Sequence, residues 1–170
     1  LIVDEVQTGN GRTGKLYSYM NYGIEPDIVT TAKGLGGGLP IGAILFGGKT
    51  ADVLGKGDHG STFGGNPAVC AGALSVLKRL DEKFLAEVKK KGEYIFSELK
   101  NADGVLNVCG KGLMIGIETE KPPREVIDEC IENGVLCLSA KNKVRLLPPL
   151  NIPEKYLKQA VKVIKNACKK

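Results

Sequence analysis

Four places in this chain bring together residue types that can do chemistry. Asp4 follows directly on the apolar run Leu1-Ile2-Val3. A carboxylate at the C-terminal end of a buried strand is where α/β folds put site residues. A carboxylate that merely caps a turn is the equal alternative. Lys33 lies in Thr30-Thr31-Ala32-Lys33-Gly34, after a second apolar run and before a glycine-rich loop. Small neighbours at the mouth of a sheet desolvate a lysine amine and make it a usable Schiff-base nucleophile. A lysine snorkelling from a strand end has the same spacing. Gly60-Ser61-Thr62-Phe63-Gly64-Gly65-Asn66-Pro67 sets hydroxyls beside glycines. Such loops bind phosphate through side-chain O–H and bare backbone N–H groups, although the same string also reads as ordinary turn chemistry. Arg145, in Val144-Arg145-Leu146-Leu147-Pro148-Pro149, is a cation inside an apolar strand. Its planar fork suits a carboxylate bidentately, either a substrate's or one of the protein's own.

Together the four meet the needs of pyridoxal 5'-phosphate (PLP) chemistry. A lysine carries the cofactor and a carboxylate keeps the pyridine nitrogen protonated. A hydroxyl loop anchors the phosphate, and an arginine orients an amino acid's carboxylate.

Two glycine patterns point elsewhere. Gly9-Asn10-Gly11-Arg12-Thr13-Gly14 matches the G-x-G-x-x-G of dinucleotide sites. That mechanism puts the first glycine at the strand end and an acidic residue at the close of the next strand. Here Asp4 to Thr8 intervene, and Asp27 opens the second strand. Gly47-Gly48-Lys49-Thr50 resembles the end of a phosphate-binding P-loop, but the spacing requires glycine where Ala43 stands. A nucleotide-binding module therefore stays as the alternative from another functional class.

The elements that must position these residues follow from the pattern. Residues 1–3, 27–31 and 41–46 are short apolar runs without alternation, which predicts strands of an α/β sheet covered on both faces. A short helix is expected over 16–22 and glycine turns over 34–38. From Pro67 the period changes to that of helices, over 68–80 and 84–99. A hairpin is expected from 105–109 and 113–118, joined by Gly110-Lys111-Gly112. A helix over 124–133 stops at Gly134. Strands at 135–138 and 144–147 and an amphipathic helix over 153–168 complete the chain. The division expected is an α/β part over 1–77, ending in a linking helix, and a compact α+β domain over 78–170.

Composition narrows the classes. The chain has 170 residues, 42% hydrophobic and 25% charged, so a disordered chain is excluded. Its 23 glycines are about twice the usual share and concentrate before Gly72. The net charge of +5 is not interleaved with aromatics, and Trp is absent, so no stacking platform for nucleic acid is present. The five cysteines include no Cys-x-x-Cys, and the one histidine, His59, has no partner at ligand spacing, so no metal site is expected. Reduced, small core cysteines of a cytoplasmic protein are expected. No apolar run reaches membrane-spanning length.

Longer strings carry a resemblance. Asp4-Glu5-Val6-Gln7-Thr8-Gly9-x-Gly11-Arg12-Thr13-Gly14, Glu25-Pro26-Asp27-Ile28 and Ala32-Lys33-Gly34-Leu35-Gly36-Gly37-Gly38-x-Pro40-Ile41-Gly42 follow one another as in the class-III aminotransferases. His59-Gly60-Ser61-Thr62-Phe63-Gly64-Gly65-Asn66-Pro67, Gly112-Leu113-Met114-x-Gly116 and Val144-Arg145-Leu146-Leu147-Pro148-Pro149-Leu150 continue the similarity in order. The resemblance implies a fold-type-I PLP-dependent transferase, present here as part of its large sheet domain plus its C-terminal domain. It implies that Lys33 is the cofactor lysine and that Asp4 partners the pyridine nitrogen. Val6 would pack on the ring and Gln7 lie near the phenolic oxygen, with Glu5 counted among the cofactor-binding residues beside them. Thr62 would reach the phosphate of a neighbouring subunit's cofactor, so the active site would belong to a homodimer. Ser61 and Arg145 would bind substrate. The implied reaction moves the terminal amine of N2-acetylornithine to 2-oxoglutarate, in arginine biosynthesis. Ornithine, succinylornithine and 4-aminobutyrate are the alternative donors. The family's N-terminal half, with its other phosphate loop, ring-stacking aromatic and second substrate arginine, has no counterpart in this chain. The chain by itself is expected to be inactive.

Overall fold

The structure is a computed structural model that describes residues 1–169. The chain divides into two compact units, Leu1–Leu85 and the residues from Ala86 onward.

The first unit holds a three-stranded sheet. Strands β1 (Ile2–Asp4) and β2 (Ile28–Thr31) are parallel, with Asp4 opposite Thr30. Strand β3 (Ala43–Phe46) adds to β2 antiparallel, giving the order β1-β2-β3. The expected strands are thus present, each within a few residues of its expected bounds. Coverage is where the structure departs from expectation. All four residues of β3 are exposed, as are Leu1 and Ile2. The pattern of a doubly covered sheet is there, but the elements of this unit do not supply both covering layers. Helix α1 (Pro67–Leu77) starts where the Asn66 side chain accepts hydrogen bonds from the N–H groups of Ala68 (3.1 Å) and Val69 (3.3 Å). Proline at the first helical position and Asn at the cap are the favoured N-terminal pair. The helix packs on the glycine turn after β2, where Gly72 lies against Leu39 and Gly37 against Val76. It lies within the first unit.

Helix α2 (Glu82–Leu99) opens with the Asp81 carboxylate accepting from Phe84 N–H at 2.7 Å, and the division between units falls in its first turn. The second unit is built on a four-stranded antiparallel sheet, in order β4-β5-β7-β6: β4 (Val105–Lys111), β5 (Met114–Thr119), β6 (Leu138–Ala140) and β7 (Lys143–Leu146). Strands β5 and β7 alternate, and Ile115, Ile117, Val144 and Leu146 point to the core. That core is closed by Val88, Ile95 and Leu99 of α2, by Val126, Ile127 and Cys130 of α3 (Pro123–Glu132), and by Leu157, Val161 and Ile164 of α4 (Glu154–Cys168). Helix α3 ends in a Schellman motif. Gly134, at φ 80°, donates to Ile131 and Val135 donates to Cys130. The helices and the other strands of this unit lie within a few residues of their expected bounds, but the strand expected over 135–138 begins only at Leu138 and runs to Ala140, because Gly134 and Val135 are spent on closing α3.

Candidate active site

Parallel pairing puts the C-terminal ends of β1 and β2 at one edge of the first unit's sheet. Asp4 closes β1 at that edge, and Lys33 follows β2 by two residues. This is the edge where α/β sheets place their ligands. Both side chains are exposed. Asp4 Oδ1 accepts the N–H of Val6 at 2.8 Å, which fixes the carboxylate in a local turn, and its second oxygen has no partner among the described residues. Gln7 is exposed and Val6 half-buried on the same turn.

Lys33 adopts φ 47°, in the left-handed region. Such a conformation is uncommon for a non-glycine residue. It opens a 3₁₀ turn, Lys33–Gly36, and Gly37 closes it at φ 59°. The exposed lysine thus sits at the start of a tight turn directly after β2.

The loop between Asp4 and the next turn is held by a buried polar core. Glu5 is fully buried. Its carboxylate accepts from Thr8 Oγ at 2.5 Å and from Tyr19 N–H at 2.9 Å. Charge-assisted bonds of this kind compensate the burial of a carboxylate. Glu5 thus anchors the loop from inside, where sequence reasoning placed it among residues meeting the cofactor. Gly9 is required by close approach, because a β-carbon there would lie 2.7 Å from the Glu5 carbonyl oxygen. Asn10 is buried and its amide donates to Thr31 Oγ (3.0 Å) and to the Ala32 carbonyl (3.1 Å). Sequence reasoning passed over Asn10. The only available signal was an Asn between two glycines, a composition suited to left-handed backbone.

The same geometry removes the nucleotide alternative. The Gly9–Gly14 string leads into a four-residue 3₁₀ turn, Ser18–Asn21, and not into a helix whose N-terminus could face a pyrophosphate. Gly48–Thr50 is likewise an isolated 3₁₀ turn.

Ser61 and Thr62 lie in an exposed segment, and beside them Phe63 is 87% exposed. Nothing in the first unit gathers their hydroxyls to Asp4 or Lys33.

Arg145 belongs to the second unit. It lies on β7 between Gly116 of β5 and Leu138 of β6, on the sheet face opposite the core. Glycine at 116 offers the arginine no side-chain partner, and the space a β-carbon would take there is bordered by the Lys143 side chain (3.2 Å) and the Cys109 sulfur (3.3 Å). The Arg145 Nε is buried and has no hydrogen-bond partner, and no carboxylate among the described residues pairs with the guanidinium. The neighbouring Lys143 is committed to Glu118. That bond holds the Glu118 carboxyl below the usual glutamate range and lifts the Lys143 ammonium above the usual lysine range. An intramolecular ion pair for Arg145, one of the two sequence expectations, is therefore not formed among the described residues.

The second unit also holds a cavity of about 460 Å³, lined chiefly by apolar residues including Val135, Leu136, Leu147, Pro149 and Tyr156. It contains none of the residues singled out for chemistry. No cluster of three or more metal-ligating side chains occurs among the described residues, and no helix of theirs is long and apolar enough to cross a membrane.

The family profile described as Aminotransferase class-III matches residues 1–168. The acetylornithine aminotransferase of Haemophilus ducreyi is 50% identical over 166 residues, 96% of this chain and 42% of that protein. Among solved structures, the acetylornithine aminotransferase of Elizabethkingia anophelis is similar with TM-score 0.88 at 38% identity, covering 98% of this chain and 45% of that one. The ornithine aminotransferase of Toxoplasma gondii is similar with TM-score 0.90 at 34% identity, covering 98% and 42%. The chain spans under half the length of each of these relatives.

Proposed function

This chain belongs to the class-III aminotransferases, and from that footing we propose that the protein it forms part of moves the terminal amine of an acylated diamino acid, N2-acetylornithine, to 2-oxoglutarate. The observation that carries the reading is the shared sheet edge of Asp4 and Lys33. An exposed amine on a sharp bend, beside a carboxylate pinned by Val6 N–H, fits PLP. When bound, PLP withdraws electrons from the carbon that carries the substrate amine.

The chain's own residues then take these roles. Lys33 would hold the cofactor through its ε-amine and would be the group that moves a proton as base and acid. Asp4 would partner the pyridine nitrogen, Val6 would pack on the ring and Gln7 would lie near its phenolic oxygen. Glu5 acts from beneath, by holding the loop that presents them. Arg145 receives the substrate's α-carboxylate, which explains why it has no carboxylate of its own. Ser61 contacts substrate, and Thr62 serves the cofactor phosphate of the other subunit of a homodimer, for which its exposed segment is suited. Residues 1–77 supply part of the large domain and 78–170 the small one. The cell compartment proposed is the cytoplasm.

The test uses the full-length protein. Lys33→Ala is expected to lose both the borohydride-trappable cofactor and transamination. Retention of trapped cofactor at another lysine overturns the assignment. Rates with N2-acetylornithine and with ornithine decide between the two donors.

A further inference from the structure

The structure assigns a positioning role to Asn10: its amide locks the backbone around Lys33 and so fixes the direction in which the lysine amine leaves the sheet edge. The inference rests on the reading of Lys33 given above and goes beyond it by naming the residue that aims the amine.

The geometry is direct. Asn10 Nδ2 donates to two consecutive residues, to Thr31 Oγ at 3.0 Å and to the Ala32 carbonyl at 3.1 Å. Thr31 is the last residue of β2, and Ala32 immediately precedes the lysine. On the other side, a β-carbon on Gly34 would sit 3.3 Å from the Asn10 β-carbon, so the side chain also packs against the residue after the lysine. Asn10 therefore grips both flanks of Lys33. The Ala32 carbonyl receives a second bond, from Leu35 N–H at 3.0 Å, which closes the 3₁₀ turn. The clamp and the turn share one oxygen.

Three further facts make this more than a packing contact. Lys33 is left-handed at φ 47°, a conformation that a lysine keeps only when its surroundings impose it. Asn10 is itself left-handed at φ 54°, which asparagine tolerates better than other non-glycine residues. And Asn10 is 5% exposed, yet its Oδ1 has no partner. The Ala32 carbonyl can only accept, so the amide must face it with the nitrogen. Leaving the oxygen orphaned is the cost of presenting the donors to the backbone before Lys33. If φ of Lys33 relaxed to negative values, the direction of its Cα–Cβ bond would turn, and the amine at the end of a four-carbon stem would move by far more than a bond length. Reactions of held groups are sensitive to displacements of about 1 Å.

The cleanest variant is Asn10→Gly. Glycine keeps the left-handed backbone without strain and removes the whole clamp, the amide together with the β-carbon that packs against Gly34. In the full-length PLP-loaded enzyme, Asn10→Gly is expected to retain the trapped cofactor on Lys33. Its kcat is expected to fall roughly 10- to 100-fold, with the KM for the amino donor within about 2-fold. The rate at which the apoenzyme captures PLP covalently is expected to fall as well, and the pH midpoint of the bound cofactor's visible absorbance to move. Asn10→Ser, which is too short to reach the Ala32 carbonyl with a donor, is expected to behave like the glycine variant and serves if that variant does not fold. Thr31→Val leaves the Ala32 bond intact and is expected to have the smaller effect. Unchanged kcat per bound cofactor, capture rate and absorbance midpoint in both Asn10 variants would overturn the proposal, even if thermal stability fell. Loss of the Lys33 reading itself shows separately, as trapped cofactor persisting in Lys33→Ala.

Discussion

Replacing Arg145 by methionine is expected to move stability and function in opposite directions. The Nε of Arg145 is buried without a partner, and a buried donor left unsatisfied costs about 1–3 kcal/mol. Methionine fills a comparable length with no donor. The core lies on the other face of β7, with Val144 and Leu146, and stays untouched. Some favourable solvation of the guanidinium is lost, so the net expectation is a gain of about 1 kcal/mol in the stability of the protein without ligands. Function should collapse. A bidentate arginine gives a carboxylate two charge-assisted hydrogen bonds, each about 1.5–3 kcal/mol. Their sum corresponds to a loss of roughly 10²- to 10⁴-fold in kcat/KM. Two measurements on the full-length enzyme check this. One is urea unfolding of the apo form. The other is kcat/KM for the amino donor beside that for an amine of equal length without the α-carboxylate. The loss should be confined to the carboxylate-bearing donor. Lysine at 145 should recover only part of it, because an ammonium lacks the fork. Clear destabilisation by Arg145→Met, or an equal loss for both donors, would refute the reasoning, since either result means that the arginine serves the fold.

Three more expectations follow, two from the second unit and one from the cysteines of both. Gly92 lies inside α2, where alanine ordinarily stabilises by about 0.5–1 kcal/mol. A β-carbon there would meet the Gly112 carbonyl oxygen at 2.3 Å, backbone that cannot rotate away. Overpacking costs of about 1–3 kcal/mol should win, and Gly92→Ala should lower the urea midpoint; a raised midpoint sinks the argument. The Glu118–Lys143 pair should contribute stability over a defined pH window. Because the folded Glu118 value is depressed by the Lys143 hydrogen bond, its contribution is present above the ordinary glutamate range and vanishes as pH falls through the lowered value. Because that of Lys143 is raised by Glu118, the contribution at high pH is lost only as pH climbs through the raised value. The stability difference between Lys143→Met and the parent should therefore shrink towards zero in strong acid, and a pH-independent difference counts against the pair. The thiols should divide by burial. Cys109 is exposed and Cys70 half-buried, while Cys130, Cys137 and Cys168 are buried. Burial pushes the Cys168 thiol up to about 11, and the hydrogen bond to Cys130 together with burial raises Cys137. An uncharged alkylating reagent followed by mass spectrometry should mark Cys109 first, Cys70 more slowly and the other three only in denaturant; rapid labelling of Cys168 would contradict the core described here.

Much of this protein was legible without coordinates. Helical spacing from Pro67 onward, the stop at Gly134 and the hairpin around Gly112 are local signals, set by residues within a turn or two of each other. The side-chain types at Asp4, Lys33, Ser61-Thr62 and Arg145 could be read from the sequence as those that PLP chemistry needs, whatever the fold. Tertiary structure decided the rest. Antiparallel β3 against parallel β1 and β2, and the exposure of β3, depend on which segments meet, and an apolar run reads alike in either case. Glu5 was drawn into the loop by Thr8 and Tyr19, the latter 14 residues away. Arg145 has no anion among the described residues, and its cross-strand partners, Gly116 and Leu138, are a pairing made by sheet register. Asn10 grips Thr31 and Ala32 across 21 and 22 residues. Propensity and periodicity act over the few residues that share a turn or a strand, whereas a hydrogen bond or a missing counter-ion exists only once distant backbone has been brought within about 3 Å.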